Sequence, residues 1–121
     1  MIVTKSNIIK TVILILLSVK YLHAQNIDFK SSNFKSDKEG LKQVVKDLKL
    51  GDEFLQMGND AILARNDAIR FFEQALFHYL PANRFNPNNI ELNVKIGNAY
   101  LYSNQKYLAY NFLQKAILLD E

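Results

Sequence analysis

Two stretches of this chain spell the same pattern. Leu50-Gly51-Asp52-Glu53-Phe54-Leu55-Gln56-Met57-Gly58 and Ile96-Gly97-Asn98-Ala99-Tyr100-Leu101-Tyr102-Ser103-Asn104 each read aliphatic, Gly, two residues, aromatic, three residues, turn residue. Downstream, Ala68, Phe72 and Ala75 are matched by Ala109, Leu113 and Ala116, with the same steps of four and then three. A Gly inside a helix costs about 1 kcal/mol relative to Ala, so two of them at matching points imply that another helix crosses closely at each. Ala68 and Ala109 are the residues expected to face the two crossings, because a small side chain lets the backbones approach. The aromatic that follows each Gly by three lies on the same face and fills the wedge beside it.

The rest of the pattern places helices around these points. Ser36-Asp37-Lys38-Glu39 reads as a capping box, with Ser36 as cap and Glu39 reaching back. Leu41, Val44, Val45, Leu48 and Leu55 follow at helical spacing, predicting a first helix over 37–57. Gly58-Asn59-Asp60 reads as a turn, and a second helix is predicted over 61–80. Pro81 opens the main breaker, which runs to Asn89. A third helix is predicted over 90–102, a turn at Ser103-Asn104-Gln105, and a fourth helix over 106–119. No stretch alternates as a strand does, and no Gly-rich phosphate loop is present.

This pattern resembles the tetratricopeptide repeat, a helix–turn–helix unit of about 34 residues. The second copy is the closer one, with Ile96, Gly97, Tyr100, Asn104, Ala109, Leu113 and Ala116 at the family's positions and the family's own interval between Gly97 and Ala109. It departs at Asn93, where a large aromatic is common, and at Glu121, where Pro is common. The first copy has Leu50, Gly51, Phe54, Gly58, Ala68, Phe72, Ala75 and Pro87. Its intervals from Gly51 to Ala68 and from Ala75 to Pro87 are both longer than the family's, so it reads as a repeat carrying two insertions. The resemblance implies an all-α fold: two such hairpins, a right-handed α-solenoid fragment, with units over about 37–87 and 88–121. More distantly, the run from Phe85 to Leu101 is similar to the N-terminal repeat region of large cell-envelope proteins of the Bacteroidetes, whose OmpA-like C-terminal domain has no counterpart in this sequence. That likeness implies a location and a scaffolding style.

The segment from Met1 to Ala24 has a different character. Lys5 and Lys10 precede an apolar run from Thr11 to Val19, and Lys20 closes it. A run of about a dozen apolar residues is short of the ~20 that span a bilayer, and it matches a secretory signal with cleavage after Leu22-His23-Ala24. The alternative is an uncleaved N-terminal anchor. Either way the remainder is expected outside the cytoplasm, in the periplasm or outer cell envelope, with no integral membrane span once the signal is removed. The stretch 25–36 reads as a leader.

Charge follows the same division. The chain has 15 basic and 12 acidic residues, and three of the lysines but none of the acids precede Gln25. The body is therefore neutral, which together with the lack of aromatic-basic interleaving excludes a nucleic-acid partner. There are no Cys residues, so disulfides and thiolate metal sites are excluded. Lys38, Lys42, Lys46 and Lys49 form a basic stripe on the first helix, interleaved with acids, and read as a solvated face. No nucleophile, orienting acid and base stand together, and no metal or cofactor is expected. His78 is read as packing between the repeats, because the interval from His78 to Leu119 equals that from Phe71 to Phe112.

The resemblance implies that the first helix of each unit lines a groove. Its matching positions are Val45, Leu48, Lys49, Asp52, Leu55 and Gln56 in the first unit and Glu91, Val94, Lys95, Asn98, Leu101 and Tyr102 in the second. This mixed surface suits an extended or helical peptide. Of the pattern that clamps a terminal carboxylate in some relatives, only Asn98 and nearby lysines are matched, and that ligand is not expected. On the fourth helix, Leu108, Phe112 and Leu119 form a stripe about 80° around from Ala109, Leu113 and Ala116. It is expected to be an open face, covered by a second copy, a partner, further repeats, or the leader around Ile27, Phe29 and Phe34. The expected function is an exported, non-catalytic scaffold for protein–protein interaction. The alternative is a structural part of a larger envelope protein.

Overall fold

The computed structural model describes residues 4–22 and 24–121, with side chains described for 4–14 and 24–121. Among the described residues the chain is all-helical: α1 Lys5–Leu22, α2 Lys38–Leu63, α3 Ile69–Phe85, α4 Ile90–Leu101 and α5 Ala109–Asp120, with 3-10 turns at Ser31–Asn33 and Lys106–Leu108. α2 packs against α3, α3 against α4 and α4 against α5. The side chains at the C-terminal end of the apolar run, Lys20, and the Leu22 and His23 subsites lie outside the described side chains.

The glycines set how the helices pair. A Cβ on Gly51 would lie 2.5 Å from the Tyr79 ring, and one on Gly58 2.9 Å from the Phe72 ring. Two turns back along α2 are matched by two turns forward along α3, as an antiparallel hairpin requires. In the second hairpin a Cβ on Gly97 would lie 2.5 Å from Leu113 and 3.5 Å from the Ala109 carbonyl oxygen. Phe72, Ala75, Tyr79, Ala82, Ile96 and Ala99 are fully buried at the centre of the core.

This geometry corrects the expected repeat register. The first-unit glycine that meets a side chain as Gly97 meets Leu113 is Gly58, not Gly51. Ala68, expected to face Gly51, instead precedes the first residue of α3. The extra length of the first unit is not looped out as insertions. α2 begins at Lys38, far ahead of Gly58, whereas α4 begins at Ile90, only about two turns ahead of Gly97. α2 and α3 stay packed on each other two turns beyond Gly58 and Phe72, through Gly51 and Tyr79.

Two predicted breaks come later than expected. Gly58-Asn59-Asp60 is helical, because Gly58 is needed for the Phe72 ring rather than for a turn. α2 ends instead at Leu63, where the Arg65 N–H donates to the Ile62 carbonyl (3.0 Å) and the Asn66 N–H to the Ala61 carbonyl (2.8 Å). This is a Schellman motif with Arg65 at φ 56° in the position that favours Gly. Arg65→Gly is therefore expected to stabilise the fold by about 0.5–1 kcal/mol, read as a higher urea midpoint at unchanged slope. α3 runs through Pro81 to Phe85. The loss of one N–H there is outweighed by packing beyond it, with Ala82 fully buried and the Phe85 ring 4.9 Å from Phe34. The α2 cap is Asp37, not Ser36, its carboxylate accepting from the Gly40 N–H at 2.8 Å.

The leader does not lie over α5. It docks on the turn between α3 and α4. The Ile27 N–H donates to the Asn88 carbonyl (2.7 Å), and the Ile27 carbonyl accepts from the side-chain amides of Asn86 (2.8 Å) and Asn89 (3.0 Å). Asn26 Oδ1 accepts from the first N–H of α4, on Ile90, at 2.8 Å, which relieves one of the unpaired donors of that helix end.

Candidate functional site

α2 and α4 lie on the same side of α3, and their facing side chains open onto a pocket of about 310 Å³. Leu48 and Leu92 give it an apolar floor, Asp52, Glu91 and Lys95 a charged wall, and the leader residues Asp28, Phe29 and Lys30 close one end. Lys95 Nζ reaches Glu91 Oε1 at 2.7 Å and Asp52 Oδ1 at 2.9 Å. The same Asp52 oxygen accepts the Tyr79 hydroxyl at 2.6 Å. One carboxylate thus joins α2, α3 and α4.

These contacts set the acid–base behaviour of the wall. Burial, then the bond to the Asp52 carboxylate and its charge, push the Tyr79 phenol far above its ordinary 10.0. Burial pulls the Lys95 ammonium down, but the two carboxylates outweigh it and its pKa rises above the ordinary 10.5. Both groups hold their protons more tightly folded than unfolded. Their stabilisation is complete below about pH 10 and lost as pH climbs beyond it, by up to about 1.4 kcal/mol per pH unit for the Tyr79 phenol and by less for Lys95, which solvent screens. Urea midpoints are expected to fall between about pH 10 and 11.5, and to fall less steeply in Tyr79→Phe.

Of the residues expected in the groove, Leu48, Asp52, Glu91 and Lys95 meet in this pocket. Lys49 is exposed beside it, and Leu55 is half-buried against the core. Val94, Asn98, Leu101 and Tyr102 continue along the exposed side of α4 and its C-terminal cap. Tyr102 also stacks on Phe72 at 5.0 Å. Sequence reasoning misses Tyr79, the leader residues and Asn89. Tyr79 meets Asp52 across 27 positions and Asn89 meets Ile27 across 62, so spacing does not place them in the pocket, although Asn89 is legible as the cap of α4.

Two other expectations are corrected. His78 does not pack between the hairpins. It faces α2, with Nδ1 3.2 Å from Asp47 Oδ1 and its ring stacked on Phe54 at 5.8 Å. The stripe Leu108, Phe112 and Leu119 is turned inward: Leu119 is buried, and Phe112 stacks on Tyr100 at 5.6 Å. The large side chains that α5 and its preceding turn leave exposed are Tyr107, Tyr110, Ile117 and Leu118. The buried arc of α5 is wider than the Ala-Leu-Ala stripe because the Tyr100 ring reaches Phe112.

Among the described residues, no group of three or more His, Asp or Glu is placed to hold a metal ion, and no helix is long and apolar enough to cross a membrane. No family model matches the chain, and neither a curated protein nor a solved structure matches it.

Proposed function

We propose that this chain is an exported, non-catalytic scaffold of the tetratricopeptide type, working in the periplasm or outer cell envelope. It binds a protein or peptide partner in the groove between α2 and α4. The observation that carries the reading is the joint pocket of Leu48, Asp52, Leu92 and Lys95, drawn from the first helix of each hairpin. An apolar floor with a few fixed charges holds a peptide by side-chain burial and sets its register by ion pairs. Tyr79 and Asp52 brace the wall, so the groove is formed before a partner arrives. Export is supported by α1, which carries Lys5 and Lys10 and leaves Ile8, Ile9, Val12, Ile13 and Leu14 exposed and outside the core.

A photo-cross-linking residue at Asn98, in the groove, is expected to give a discrete adduct in the source cell. The same residue at Glu73, exposed on α3, gives none. Equal labelling from both positions, or no adduct from Asn98, contradicts the reading. Mass spectrometry of the protein from that cell is expected to find Gln25 at the amino terminus; an intact Met1 on a membrane-bound product supports the anchor instead. The second reading, a structural part of a larger envelope protein, draws on the uncovered outer face of α5, which a further hairpin would bury.

A further inference from the structure

The two hairpins supply an internal template for the outer face of α5. Ala68, Phe72 and Ala75 in the first hairpin correspond to Ala109, Leu113 and Ala116 in the second. Carried along the two helices, the same offset pairs Leu76 with Ile117 and Ile69 with Tyr110. Leu76 is 6% exposed and part of the core, whereas Ile117 is 65% and Tyr110 66% exposed. The same helix face is covered in one hairpin and uncovered in the other. Leu118 is not part of this face, since its counterpart Phe77 is exposed in the covered hairpin as well.

The charges around the face select what covers it. The position on α2 equivalent to Ile96 of α4 is Met57, and it is flanked by exposed Glu53 and Asp60. Two carboxylates there oppose burial against an apolar stripe, which disfavours head-to-tail stacking of copies. α5, taken with the 3-10 turn before it and Glu121 after it, is self-complementary. An antiparallel mate centred between Leu113 and Gln114 sets Tyr110 against Ile117 of the partner subunit, Tyr107 against Asp120 of the partner subunit, and Lys106 against Glu121 of the partner subunit. A two-fold axis repeats each contact, and antiparallel helices also oppose their dipoles favourably.

We propose that the outer face of α5 is a self-association surface, pairing antiparallel with α5 of a second copy. The proposal names the occupant for the last-helix contact and is independent of the groove, so cross-links at α5 and adducts at Asn98 fail separately. A single helix face is small for a stable interface, so covalent trapping is the suitable measurement. The full chain has no Cys, and one introduced thiol therefore reports one position. With a short bismaleimide in the expressing cell, Gln114→Cys is expected to yield a covalent dimer, and Met57→Cys none. Adding Ile117→Glu to Gln114→Cys removes the dimer at an unchanged melting temperature. Adding Lys106→Glu cuts its yield several-fold, and adding Glu121→Lys as well restores it. Three results overturn the proposal: no dimer from Gln114→Cys, a dimer insensitive to Ile117→Glu, or cross-links joining Gln114→Cys to Met57→Cys in a mixed population. The first of these points to a hairpin of another protein on this face, and the last to head-to-tail stacking.

Discussion

Replacing Tyr79 with Ala is expected to lower folding stability by about 3–5 kcal/mol, a large part of the roughly 5–15 kcal/mol typical of a whole domain. The Tyr79 ring is fully buried and lies over Gly51, where there is no side chain to collapse into the space. Its hydroxyl also tethers Asp52, which holds Lys95 of α4. Tyr79→Phe separates the two effects: the ring stays, one hydrogen bond goes, and the expected cost is about 0.5–1.5 kcal/mol. Urea denaturation of both variants measures the difference. An Ala variant within about 1 kcal/mol of the parent would mean that the ring is not wedged between the helices.

Phe72→Ala is expected to cost about 3–5 kcal/mol as well, while Phe77→Ala, in the same helix, is expected to change stability by less than about 0.5 kcal/mol. The chemistry removed is identical and only the surroundings differ. Phe72 is fully buried between Gly58 and Tyr102, whereas Phe77 is 70% exposed. Comparable losses in the two variants would show that α3 is rotated from the register described.

The helical body is legible in the sequence because its signals are local. The periodic apolar residues from Leu41 onward, the start of α4 after Asn89 and the turn after Tyr102 each depend on a few neighbours, and each lies within a residue or two of the expected place. The two displaced breaks share one cause, a residue with two uses. Gly58 permits both a turn and a close approach, and only the position of Phe72 decides between them. Pro81 breaks a helix whose far side is unsupported, but Ala82 and Phe85 are anchored by the core and the leader. Of the groove, Leu48, Asp52, Glu91 and Lys95 are readable from the repeat pattern. Tyr79 is not, because its role depends on a carboxylate 27 positions away. The docking of Ile27 is equally hidden: its own bonds are made by backbone groups, and every residue type has those. The stripe on α5 is misplaced by the sequence for a related reason, since a helical wheel shows which residues share a face but not how wide an arc the neighbouring helix covers.

The reading of the groove depends on the register of the two hairpins, because that register brings α2 and α4 to one side of α3. Nuclear Overhauser contacts from the glycine α-protons measure it directly. The structure predicts contacts from Gly51 to the Tyr79 ring, from Gly58 to the Phe72 ring and from Gly97 to the Leu113 methyl groups. Contacts from Gly51 to Ala68, with none to Tyr79, would contradict it.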